Sequence, residues 1–81
     1  VSPATALQEA VTATWAEVKA AEAEIAALEV VRYAPHKTKK SLAAAKAAWV
    51  AAYDAGRAPW DAYYRAKTAL AEADAIAAGV S

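Results

Sequence analysis

The chain has 81 residues, 28 of them alanine, with no Phe, Met or Cys, and its nine acids balance nine bases to a net charge of zero. That length allows one domain at most, and the neutral balance excludes a global pull towards nucleic acid or membrane. The lack of cysteine removes disulfides and thiolate chemistry and leaves the compartment open, and no apolar stretch approaches the ~20 residues that span a bilayer.

Ser2-Pro3 reads as an N-cap followed by proline in the first helical position, where its missing N–H is no loss. No signal-peptide pattern precedes it, and Val1 in place of Met reads as a processed or trimmed start. A first helix is expected over 3–33, with no Gly or Pro inside it after Pro3. Its seam is Leu7, Val11, Thr14, Val18, Ala21, Ile25 and Leu28, an unbroken alternation of three and four. Glu17 and Glu24 flank the seam on one side, Glu22 and Glu29 on the other.

Pro35 pushes Ala34 out of the helical region and ends this helix. The loop 34–38 is short enough to join antiparallel neighbours, and Thr38 or Ser41 can cap the next helix. That second helix is expected over 39–55 with the seam Leu42, Ala45, Trp49, Ala52. Folding the chain about Pro35 sets Leu28 against Leu42, Ile25 against Ala45, Ala21 against Trp49 and Val18 against Ala52. That register also brings Glu22, Glu24 and Glu29 near Lys39, Lys40 and Lys46.

Gly56-Arg57-Ala58-Pro59 is the ambiguous stretch. Gly and Pro within four residues are strong punctuation, so the first expectation is a reversal and a third helix over 59–78. The apolar phase nevertheless runs on through Gly56, Pro59, Tyr63, Ala66, Leu70, Ala73, Ala77 and Val80. The fold expectation is therefore all-α, an antiparallel helical hairpin extended to a three-helix bundle. The alternative is two long helices, the second kinked at Gly56–Pro59, with Leu7 facing Tyr63.

Charge is unevenly spread: residues 1–29 sum to −4, residues 30–53 to +5 and residues 54–81 to −1. The basic elbow Arg32, Lys37, Lys39 and Lys40, beside Tyr33, is the candidate anion site, since bases interleaved with an aromatic can hold and stack on a nucleotide. His36 is the sole histidine and has no second ligand at helical spacing, so it reads as a loop residue rather than a metal ligand. Trp60, Tyr63 and Tyr64 are interface candidates because Trp and Tyr join an apolar body to a polar tip. Leu7 and Val11 join them, as seam that a short partner helix would leave bare.

The sequence holds no carboxylate pair with a partner set suited to acid–base work, and no Gly-rich phosphate loop, activated nucleophile or zinc spacing. No motif points to a known family. The expectation is a non-enzymatic structural or interaction subunit, without cofactor or small-molecule substrate. It would self-assemble through alanine-rich and aromatic helix faces, and the Ala-rich composition with Trp and Tyr but no Phe or Met would suit a small bacterial or bacteriophage structural protein. The alternative is a small adaptor or inhibitor that engages nucleic acid or an acidic protein surface through the elbow 32–40.

Overall fold

A computed structural model describes residues 3–79. Three helical segments follow one another: α1 (Pro3–Tyr33), α2 (Lys39–Ala55) and α3 (Arg57–Ala77), with no strand among the described residues. The all-α hairpin expected from the sequence is the fold. The proposed cap at Ser2 and the seam position Val80 lie outside the described residues.

Pro35 ends α1 as expected. Ala34 N–H still reaches back to the Val31 carbonyl at 3.3 Å. Thr38 then caps α2 from extended backbone, its Oγ1 accepting from Ser41 N–H at 3.0 Å. His36 stitches the two ends together. Its Nε2 donates to the Val31 carbonyl at 2.8 Å, and its Nδ1 shares a 2.8 Å hydrogen bond with Ser41 Oγ. A carbonyl can only accept, so Nε2 carries the proton and, in the neutral ring, Nδ1 takes the Ser41 hydroxyl proton.

The joint at Gly56 does not reverse the chain. Gly56 keeps helical dihedrals, φ −68° and ψ −14°, and its N–H donates to the Ala52 carbonyl at 3.0 Å. Pro59 has no N–H to give Ala55 and its ring crowds that carbonyl, so the helix is interrupted without being turned back. Residues 39–77 thus form one bent arm that lies along α1. The molecule measures 63 × 21 × 13 Å, a cross-section that fits two helices side by side. Of the two readings of the second half, the bent arm is the geometry, and α3 is its continuation rather than a third layer.

Both expected seams exist. Along α1, Leu7, Val11, Thr14, Ala21, Ile25 and Leu28 are half-buried, and Val18 is completely buried. Thr14 fits the seam because its hydroxyl donates to the Ala10 carbonyl at 2.7 Å on its own helix. Along the arm, the second series is half-buried or buried from Ala45 through Gly56 and Tyr63 to Ala73.

The register between the seams differs from expectation. Trp49 lies under Arg32, 4.3 Å from guanidinium to ring centroid, rather than against Ala21. Ile25 meets Gly56 rather than Ala45: a Cβ built on Gly56 would stand 3.2 Å from Ile25 Cδ1. Both landmarks are displaced by roughly eleven residues, about three helical turns. The tight turn assumed from loop length does not form. The loop runs outward past the end of α1, and Leu42, 42% exposed, is left without its expected partner Leu28. At the other end Trp15, not Leu7, stands beside Tyr63, 5.0 Å between ring centroids. Leu7 and Leu70 are both half-buried.

Among the described residues the expected glutamate–lysine pairs do not form within the chain, for the same reason. Among the described residues the one ion pair is Arg57–Asp54 at 3.7 Å, within the arm and largely exposed. Such a pair contributes about 0–1 kcal/mol. Register here is set by shape.

Two helices side by side enclose a line rather than a volume. Val18 and Ala45 are the only apolar side chains classed as buried among the described residues. The accessible surface is 5975 Å² for an 8.4 kDa chain. A compact monomer of that mass exposes about 4,600 Å². The radius of gyration, 18.5 Å, likewise exceeds the ~12 Å of a compact chain of this length.

Two positions test this seam. Val18→Ala should destabilise the hairpin by about 1–3 kcal/mol in urea unfolding, because no second layer can collapse onto the gap. Gly56→Ala should stay within about 1 kcal/mol of the parent, helix propensity offsetting a small shift of Ile25. Gly56→Val should lose about 1–3 kcal/mol by wedging the arms apart. Equal midpoints for the Ala and Val variants would mean that the helices do not approach closely at Gly56.

Candidate functional site

Helical geometry sorts the side chains beside the two seams onto two broad faces. On α1, Trp15, Glu22, Glu29 and Tyr33 fall to one side of the seam, and Ala13, Glu17, Ala20 and Glu24 to the other. On the arm, Trp49, Tyr53, Trp60 and Tyr64 fall on the side that bears Trp15. The ring contacts agree with the sorting. Trp15 meets Trp60 edge-on, centroids 6.0 Å apart, and Tyr63 at 5.0 Å. Trp60 stacks on Tyr64 at 5.6 Å, and Trp49 on Tyr53 at 5.3 Å. Arg32 bridges Tyr33 and Trp49, its guanidinium 5.1 Å and 4.3 Å from the two ring centroids. All seven aromatic residues of the chain therefore share one face or its bordering seam.

Cations border these rings. Lys67 Nζ stands 5.3 Å from the Tyr63 ring and Lys19 Nζ 6.0 Å from the Trp15 ring. Midway along the face is an open cleft of about 290 Å³. Tyr53, Gly56, Arg57 and Trp60 form its arm side, and Ala21, Glu22 and Ile25 its α1 side, with Asp61 at the edge. Ile25 Cδ1 occupies the space beside Gly56 where a side chain would stand. Trp49 Nε1 is buried without a hydrogen-bond partner, its indole covered by Arg32.

The candidates named from sequence divide between this face and the rest of the molecule. Trp60 and Tyr63 are half-buried and Tyr64 is 56% exposed, and the three belong to one ring cluster. Leu7 and Val11 lie in the seam instead, half-buried between the arms. Of the basic elbow, Lys37, Lys39 and Lys40 are exposed at the loop end, whereas Arg32 is half-buried against Trp49 and Tyr33. The structure thus separates Arg32 from the lysines with which it was grouped. His36 is half-buried and engaged at both ring nitrogens, a role in closing the loop that its place in the sequence does not reveal.

Trp15 is the residue that sequence reasoning missed. It lies off the α1 seam, yet it joins Trp60 to Tyr63. The spacing of the arm aromatics, Trp49, Tyr53, Trp60, Tyr64, was a usable signal: steps of four, seven and four keep one side of a helix.

Among the described residues no three His, Cys, Asp or Glu side chains converge as a metal site, and no helix is long and apolar enough to cross a membrane. Comparison with protein families, curated proteins and solved structures found no match.

Arg32→Lys tests the bridge between the arms. Lysine keeps the charge but loses the planar stack on Trp49, so stability should fall by about 0.5–1 kcal/mol and the Trp49 fluorescence should change. His36→Ala should remove about 1 kcal/mol by releasing the Val31 carbonyl and Ser41. Unchanged urea midpoints for both variants would mean that neither contact stabilises the hairpin.

Proposed function

We propose that the protein is a non-enzymatic structural or interaction subunit whose working form is an assembly of identical copies. The observation that carries this reading is the surface left over: one completely buried side chain among the described residues, in a chain exposing 5975 Å². The excess over a compact monomer, about 1,400 Å², is of the size that association normally covers, and Trp and Tyr are the side chains that enrich such contacts. Trp15, Tyr53 and Tyr64 are 39–56% exposed in a chain with few other large apolar groups, so association offers them burial that folding alone does not. Alanine contributes helix and close approach, and the aromatics contribute area.

A second reading draws on the loop end. Lys37, Lys39 and Lys40 are exposed, and among the described residues none is paired with a carboxylate. Such a tip suits an anionic partner, nucleic acid or an acidic protein surface.

Sedimentation at micromolar concentration separates the readings. The expected result is a species heavier than the 8.4 kDa monomer, with a thermal midpoint that rises with protein concentration. A single monomeric species with a concentration-independent midpoint overturns assembly. Oligonucleotide binding that is tight at low salt and falls steeply as salt rises would favour the second reading instead.

A further inference from the structure

We propose that two copies pack through their aromatic faces, antiparallel to one another about a two-fold axis, to make a four-helix bundle. This rests on the self-association reading and adds to it the face, the stoichiometry and the orientation.

The face has an outline of 63 × 21 Å, larger than the ~800 Å² per partner of a standard stable interface. A two-fold contact uses the same patch on both copies, so a single face that gathers all seven aromatics is the natural candidate. The opposite face presents Ala13, Glu17, Ala20 and Glu24 along α1, and its exposed apolar groups, Val31 and Ile76, are aliphatic and stand apart near the ends of their helices.

The shape of the cleft points the same way. Tyr53, Gly56, Arg57 and Trp60 are spaced i, i+3, i+4, i+7. Those four positions on one helix make the hole that receives a side chain from a facing helix in knobs-into-holes packing. With about 290 Å³ of open volume, this hole accepts a large knob. The occupant it fits is another helix bearing aromatic side chains, which is what the same face of a second copy supplies.

Charge fixes the orientation. Residues 30–53 carry five cations and no acid and form the loop end of the rod, while the remaining residues sum to −5. Parallel stacking would lay one basic tip on another. Antiparallel stacking lays each basic tip along the acidic body of the other copy, where Glu9, Glu72 and Asp74 lie towards the far end.

The test combines paired substitutions with a distance. Tyr53→Lys with Tyr64→Lys changes side chains that are 50% and 56% exposed, so the hairpin should keep its helicity by circular dichroism. The dimer dissociation constant should rise at least ~30-fold, the effect of losing one hot-spot aromatic. Ala13→Lys with Ala20→Lys, on the other face, should leave it within a few-fold. The chain has no cysteine, so a spin label at Lys40→Cys reports orientation directly. In the antiparallel dimer the two labels should stand apart by a distance approaching the 63 Å length of the rod. A short label separation overturns the orientation. Dissociation by the alanine-face pair but not by the tyrosine pair overturns the choice of face while leaving assembly intact. A wild-type chain that sediments as a monomer overturns both this proposal and the reading on which it rests, and an assembly larger than a dimer overturns the two-fold closure.

Discussion

The approach of α1 to the backbone at Gly56 is the contact on which the shape of the molecule turns. Glycine leaves room for Ile25 where a larger seam residue would hold the helices apart. Because Gly56 also keeps helical dihedrals, the arm passes through this point without reversing, and Pro59 only bends it. Packing is then confined to one seam no longer than α1, about nine helical turns. The rest of the molecule's shape comes from having a seam and no third element to cover it.

One consequence is a division of labour between side chains. A bare glycine, Gly56, sits where α1 comes close to the arm, and aromatic residues stand at the margin of the seam. There they bridge the arms on one side only, as Trp15 does to Trp60 and Tyr63, and as Arg32 does to Trp49. The bridging rings stabilise the hairpin and leave their outer surfaces available, so the same residues can serve folding and association. A two-helix protein rich in alanine has few other means of doing both.

Charge follows a different axis. The aromatic asymmetry runs across the ribbon, from one face to the other, whereas the charge asymmetry runs along it, from the basic loop end to the acidic body. The first distinguishes a surface and the second a direction. Opposite charges at matching levels predict pairing of glutamates with lysines inside one chain. The three-turn displacement moves the lysines beyond the glutamates and leaves both sets open to solvent or to a partner.

The sequence by itself determined the helices, their ends at Pro35 and Thr38, and which positions of each helix face the other. Periodicity decides those, because the side chains of an amphipathic helix must bury one stripe whatever they pack against. It also carried Trp60, Tyr63 and Tyr64 as a cluster, since they stand close together on one helix. Register, the course of the chain at Gly56 and the place of Trp15 were decided only by tertiary structure. A displacement of about eleven residues returns the same face to the partner after three turns, so the apolar pattern reads alike in both registers. What separates them is the local fit of Ile25 over a bare glycine, Arg32 over Trp49, and a loop held outward by His36. The first two contacts join residues distant in sequence, the third spans the break between helices, and no spacing rule within one helix can encode any of them.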